Sequence, residues 1–290
     1  MKKKMTIGHA SIIVILILLS VICFYPMWYT FIISLSDRAA VDSGKVWLVP
    51  LQVTYNAYDM ILADKTFFSV FFVSVKRVII GCSLNMILLI LCAYPLCVPE
   101  KQFPAGKYYK WFFVVNMLFN GGMIPSYMLI KEYGLFNSFW SLVLPTAVPL
   151  WMMIYLLNFY KNVPYELNES ATIDGANPLQ ILFKIYVPLC KPSLACILLF
   201  TFVDHWNAYF DGLIYINNAN KQPLQTYIYQ LSTKIDLTSM TSQEIMHALK
   251  VSDQTLSAGK VMVAMVPILV VYPFIQKYFV SGMTLGAVKG

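Results

Sequence analysis

The chain has 290 residues, 59% of them apolar and only 12% charged, with a formal net charge of +7 and a mean hydropathy of +0.65. Soluble domains carry roughly 45–50% apolar and about 25% charged residues, so this composition excludes a water-soluble globular protein for most of the chain. A bilayer core about 30 Å thick needs runs of roughly 20 apolar residues, and several such runs are present. The expected fold class is therefore all-α, a polytopic membrane protein. The surplus of positive charge sits in lysines that flank the apolar runs, where anionic headgroups favour it. No interleaved basic and aromatic patch points to nucleic acid.

In chain order, Met1-Lys2-Lys3-Lys4 followed by the apolar run Ile12 to Ile22 has the outline of a secretory signal peptide. The run continues through Phe24, Trp28 and Ile33, too long for a signal core, and no small-x-small site precedes Ser36-Asp37-Arg38. Cys23 follows Ile22 rather than a small residue, which argues against a lipid-modified cysteine. Helix one is expected over Ile7 to Leu35, anchored at the interface by Trp28 and Tyr29. A polar segment from Ser36 to Lys65 carries Asp37, Asp42, Asp59 and Asp64. Helix two runs from Phe67 to Val98, interrupted by Lys76-Arg77, and helix three from Tyr108 to Leu118. The break at Gly121-Gly122-Met123-Ile124-Pro125-Ser126 either dips into the membrane against protein or forms a tight surface hairpin. Helix four is expected over Leu135 to Phe159 with Pro145 and Pro149 inside it, prolines that a membrane tolerates where neighbours or water satisfy the freed carbonyls. Helix five extends from Pro192 to Tyr209 and helix six from Val261 to Phe279.

Basic residues fix the orientation. Lys2 to Lys4, then Lys101, Lys107 and Lys110, then Lys161, Lys184 and Lys191, then Lys277 and Lys289 all fall on one side of a six-helix arrangement. The positive-inside rule makes that side cytoplasmic, so both termini are expected inside and the whole of 1–290 reads as one transmembrane domain. The Ser36 to Lys65 segment, the Gly121 to Gly134 turn and a loop over 217–260, with Tyr227, Tyr229 and Met240, then face out. Cys23, Cys82, Cys92, Cys97, Cys190 and Cys196 lie in apolar runs or inward loops, which suits free thiols and offers no zinc spacing.

The connection over 161–191 is the most informative stretch. Pro164 suits a first helical turn and Glu166 complements the positive helix end, predicting a short helix from Pro164 to Asp174. Gly175 can stop it in the left-handed conformation. Asn177-Pro178 reads as the cap and first residue of a second short helix that ends before Pro188. On the first helix Glu166, Glu169 and Ser170 share a face, with Ala171 permitting close approach and Glu169 placed to meet a cation on a soluble partner. Taken alone, the same pattern also describes an ordinary amphipathic surface helix.

Glu169-Ser170-Ala171, Asp174-Gly175-Ala176, Phe183, Ile185, Pro188 and Pro192 together resemble the EAA motif of permease subunits of binding-protein-dependent ABC importers. Ser170 replaces the small middle residue, and Val187 stands where leucine precedes proline. Ala93-Tyr94-Pro95-Leu96, Trp206-Asn207 and the tail from Tyr272 to Gly290 are similar to the carbohydrate-uptake branch related to the maltose permeases, in particular to the sub-branch for complex oligosaccharides. The resemblance implies that Glu166, Glu169, Ser170, Ala171, Asp174, Gly175 and Ala176 form a coupling helix seated in a cleft of an ATPase. It implies a bacterial plasma-membrane location, a second homologous permease completing a heterodimer, two ATPase subunits that bind ATP and magnesium, an extracytoplasmic solute-binding protein and an oligosaccharide substrate. No cofactor is expected on this chain.

Ionisable groups within a span mark a pathway or a paired site. Asp204-His205 stands about 12 residues beyond Pro192, roughly 18 Å along a helix, among Trp206, Asn207, Tyr209, Phe210 and Asp211. Ring faces and hydrogen-bonding groups in such a mixture suit sugars, and an interfacial aromatic belt is the competing account. Lys76 and Arg77 in helix two are candidates on the same ground, against snorkelling or ion pairing. No phosphate loop, HExxH or Gly-x-Ser-x-Gly elbow is present, so no chemistry and no catalytic or metal site is expected. An amino-acid or peptide permease of the same class, and an ion-coupled secondary transporter, are the alternatives.

Overall fold

The computed structural model of the chain describes residues 7–119, 121–233 and 253–287, and every regular element among them is helical. The chain divides into two compact units, one of residues 1–68 with 228–266 and one of residues 69–227 with 267–290.

In the first unit, α1 (Ile7–Ser34) is a run of leucine and β-branched residues whose apolar side chains from Ile12 to Phe24 stand exposed. Its one hydroxyl in that stretch, Ser20, turns back to the Leu16 carbonyl at 2.7 Å, which leaves no free donor on the apolar surface. The segment after it folds. Asp37 accepts the Ala39 N–H at 3.0 Å and caps α2 (Arg38–Asp42), and buried Ser36 ties Ile32 to Leu51 by accepting and donating one bond each. Ile32, Ile33, Ala40, Val41, Val46 and Ala258 form a small core. In α3 (Asn56–Ala63), Ala57 and Ile61 are buried.

The second unit is organised on α4 (Lys65–Cys97), whose first turn belongs to the other unit. It is followed by α5 (Gly106–Leu118), α6 (Met123–Glu132), α7 (Leu150–Lys161), α8 (Glu166–Ile173), α9 (Pro178–Ile181), α10 (Val187–Leu189), α11 (Lys191–Asn207), α12 (Phe210–Tyr215) and α13 (Leu224–Thr233), the last reaching into the first unit. α14 (Asp253–Ala287) runs through both. Leu89, Ala93, Tyr94, Leu156, Tyr160, Leu182, Tyr186 and Ile197 lead the main core.

Ser11–Ser34, Lys65–Cys97 and Gln254–Pro273 are each long and apolar enough to cross a membrane. Three bent pairs pass the same test when each is taken as one span, giving up to six among the described residues. Two of the bends fall where a helix end is expected from sequence, after Leu118 and before Pro192, and the third falls inside the expected helix four. The predicted helix over Leu135 to Phe159 is instead two 3₁₀ turns, Phe139–Leu142 and Leu144–Thr146, followed by α7 at an angle of 43°. Pro145 and Pro149 withhold two N–H donors, and Pro149 sits extended as the cap of α7. The expected turn between Gly121 and Gly134 contains the ten-residue α6, closed by Gly134 at φ +67° with the Leu135 N–H on the Ile130 carbonyl. The second short helix does not end before Pro188. A π turn over Leu182–Tyr186 widens the coil ahead of the ring, and helical structure continues through Val187–Leu189 to a bend of 83° into α11.

α11 stops at Asn207, where Ala208 is extended, so Tyr209 and Phe210 belong to the next segment. Tyr227 and Tyr229 lie in α13, and the final helix begins at Asp253 rather than Val261. Lys2 to Lys4, Met240 and Lys289 lie outside the described residues.

Candidate functional site

The 161–191 connection is built by its caps. α8 ends on Asp174, and Gly175 at φ +80° reverses the chain so that the Gly175 N–H meets the Thr172 carbonyl and the Ala176 N–H reaches the Ala171 carbonyl at 2.9 Å. This pattern consumes two of the carbonyls that a helix end leaves free, and a left-handed residue makes it possible. Two residues later Asn177 and Gln180 form a reciprocal capping box at 2.8 and 2.9 Å, with Pro178 at the first helical position. Such a cap stabilises a helix start by about 0.5–2 kcal/mol, enough to fix the corner between α8 and α9.

Glu166, Glu169, Ser170, Asp174 and Gly175 are exposed. Leu167, Ile173, Leu179 and Phe183 stand out beside them as large exposed apolar groups. Ala171 and Ala176 face the other way and pack on the main core, so their small size serves the approach of α8 to its own chain. Asn168 is buried. The outer surface is an acidic and apolar ridge with no cover from the described residues of its unit.

The candidates in the apolar helices separate into buried and exposed groups. Arg77 is buried and bidentate to Asp211, with Nη1 at 3.0 Å from Oδ1, the second contact from Nη2 to Oδ2, and Nη1 also 3.4 Å from the Ala208 carbonyl. His205 is buried and joined to Asn85 at 2.7 Å. Asn85 gives both amide hydrogens to the Thr146 and Ala147 carbonyls, at 2.7 and 2.9 Å. Its Oδ1 therefore accepts, which places the His205 ring hydrogen on Nε2. Trp206 is buried with its ring edge-on to Phe71 at 5.9 Å and parallel to Phe202 at 6.4 Å. Lys76, Asp204, Asn207, Tyr209 and Phe210 are exposed, and the Lys76 ammonium lies 4.5 Å from the centre of the Phe139 ring.

Asp204 and His205 do not act together, since adjacent residues on a helix point about 100° apart. Asp211, which the sequence groups with Asp204-His205, is the partner of Arg77, whereas Asn85, the partner of His205, does not stand among the sequence candidates. The spacing Arg77, Gly81, Asn85 puts one polar stripe on α4 every fourth residue, a signal that could have found Asn85. The six cysteines are free, and among the described residues no cluster of histidine, cysteine and acidic groups could hold a metal ion.

Residues 10–285 match the family of binding-protein-dependent transport system inner membrane components. The chain is 37% identical over 276 residues to the polygalacturonan/rhamnogalacturonan transport system permease protein YtcP of Bacillus subtilis, covering 95% of this chain and 96% of that one. It is 35% identical to protein LplC of the same organism, covering 91% and 89%. Among solved structures it is similar to a chain of a bacterial ABC transporter involved in the import of the acidic polysaccharide alginate. That likeness has a TM-score of 0.85 at 29% identity, over 94% of this chain and 96% of that one.

Proposed function

The chain belongs to the binding-protein-dependent transport system inner membrane components, and from that membership we propose that it forms half of the translocation pathway of an ATP-driven importer for an oligosaccharide. The observation that carries the reading is the exposed acidic and apolar ridge of α8, held at a fixed corner by Gly175 and the Asn177 box. Glu166, Glu169, Ser170 and Asp174 present that ridge to a cleft on a separate ATPase subunit. A second, homologous permease covers the apolar faces of this one and completes the pathway, and two ATPase subunits supply ATP hydrolysis with magnesium. The chain crosses the bacterial plasma membrane six times with both termini in the cytoplasm, and an extracytoplasmic binding protein delivers the sugar to the opposite face.

Relatives named for polygalacturonan, rhamnogalacturonan and alginate transport support an oligosaccharide substrate. Within the pathway the exposed Lys76, Asp204, Asn207, Tyr209 and Phe210 supply hydrogen-bonding groups and ring faces to the sugar. Buried Arg77, His205 and Trp206 hold the wall in place. ATP closes the ATPase dimer, α8 moves with it, and the pathway opens outward to receive the sugar. ATP hydrolysis then returns it.

The test is ATP hydrolysis by the complex purified through a tag on this chain, with a panel of galacturonan, alginate and neutral oligosaccharides. Wild type is expected to carry ATPase subunits and to be stimulated by one class of sugar, whereas Glu169→Ala and Gly175→Asp lose ATPase binding or at least tenfold of the stimulation. A chain that purifies without ATPase subunits and moves solute without ATP would overturn the reading.

A further inference from the structure

We infer that Asn168 is the positioning residue through which motion of α8 reaches the membrane helices, acting on a triad of tyrosines; the inference rests on α8 being the ATPase-docked helix. Asn168 is 4% exposed while Leu167 and Glu169 on either side are exposed, so it is the one fully buried side chain of α8. Its amide Nδ2 donates to the Tyr186 hydroxyl at 3.4 Å. Thr172 donates to the Asn168 carbonyl at 2.7 Å and lies 3.5 Å from Oδ1, which steadies the side chain from within its own helix.

Tyr186 in turn stands edge-on to two further rings, Tyr94 at 5.1 Å and Tyr160 at 5.4 Å. These rings come from different elements: Tyr94 from the last turns of α4, Tyr160 from the last turn of α7, and Tyr186 from the π turn that leads into α10 and α11. One side chain of α8 thus reaches the point where three candidate spans converge. A buried amide in an apolar cluster is costly unless bonded, and an apolar side chain would fill the same place without that cost. Asn168 therefore serves to specify where α8 sits against the triad rather than to add packing.

Two features give the triad room for a second arrangement. The Tyr160 hydroxyl is buried with no hydrogen-bond partner among the described residues, so a shift that offers it an acceptor is favoured by what that contact recovers. Tyr186 also closes a π turn, a wide coil frequent at functional sites, with the 83° bend at Cys190 one short helix further on. A pull on Tyr186 can be absorbed by the wide turn and passed into the angle between α10 and α11 without unwinding either.

The experiment uses the whole complex in proteoliposomes, comparing wild type, Asn168→Ala, Tyr186→Phe and the double variant. Tyr186→Phe removes one oxygen and keeps the ring, which guards against simple misfolding. ATP hydrolysis is read without and with the binding protein loaded from a polygalacturonan digest, alongside ATPase-subunit content. The expected result is full subunit content and basal hydrolysis within twofold of wild type in every variant. Stimulation falls at least tenfold in each single variant, and the double variant is no worse than either single one, as residues of one contact require. Variants that are stimulated like wild type, lose ATPase subunits, or show additive losses overturn the inference. A wild-type complex that lacks ATPase subunits overturns the reading beneath it instead, so the two failures are distinguishable.

Discussion

Asp211→Ala tests whether the Arg77 pair holds the wall of the pathway. Arg77 is 1% exposed and Asp211 22% exposed, so removal of the two partners has unequal consequences. Without Asp211 the guanidinium stays buried with the Ala208 carbonyl at 3.4 Å as its remaining acceptor among the described residues, where its Nε has no partner even in the intact pair. Breaking a buried pair in this way costs about 3–5 kcal/mol. Arg77→Met leaves a carboxylate that water partly reaches and that still accepts the Gly212 N–H at 2.8 Å, so its loss is about 1–3 kcal/mol. The difference of about 2 kcal/mol is more than a tenfold change in an unfolding equilibrium. Replacing both, as Arg77→Met with Asp211→Leu, removes the charges together and is expected to recover most of the Asp211→Ala loss. Unfolding free energies measured by steric trapping in bicelles check the ranking. Equal losses for the two single variants, or a double variant equal to their sum, would refute it.

Two further substitutions probe local packing. A Cβ at position 81 would lie 2.5–2.8 Å from three atoms of the His205 ring, so Gly81→Ala drives the ring off Asn85. Overpacking of about 1–3 kcal/mol exceeds the gain of about 0.5–1 kcal/mol from replacing a helical glycine. A lower melting temperature is expected, restored in Gly81→Ala with His205→Ser. Asn177→Ala removes one capping bond directly and leaves Gln180 to hold the other, a loss of about 0.5–2 kcal/mol at one corner. Amide exchange of residues 177–181 is expected to quicken while the global melting temperature holds.

The legible part of the fold was the part that local chemistry decides. Asn177-Pro178 named a capped helix start, and Gly175 named the end of the helix before it, because both depend on residues within four positions. Long apolar runs named α1, α4 and α14 for the same reason. The broken form of helix four was not legible, since apolar content says nothing of whether Pro145 and Pro149 bend a span or break it into 3₁₀ turns. Continuation through Pro188 depended on a π turn that no residue pattern announces. At the candidate site the sequence marked Arg77 and His205 as costly and left their partners 134 and 120 residues away unassigned. Burial then divided neighbours that sequence had grouped, setting Lys76 outside and Arg77 inside.

The partners share a logic that starts from the bends. A broken helix frees carbonyls and N–H groups, and inside a membrane these need protein partners because lipid offers none. In the second unit the unbroken α4 supplies them. Arg77 reaches the Ala208 carbonyl at the break after α11, Asn85 takes the Thr146 and Ala147 carbonyls at the break before α7, and Ser74 accepts the Leu224 N–H where α13 begins. Positions 74, 77, 81 and 85 recur at three or four residues, so these groups and the small Gly81 lie along one side of a single helix. A straight span would need none of them. The polar stripe on α4 and three of the breaks therefore belong together: at Ala208, at Thr146-Ala147 and before Leu224 the stripe satisfies backbone groups, and those groups give Arg77, Asn85 and Ser74 partners. One continuous helix thus carries, at successive turns of one side, the partners of three breaks in the segments packed beside it.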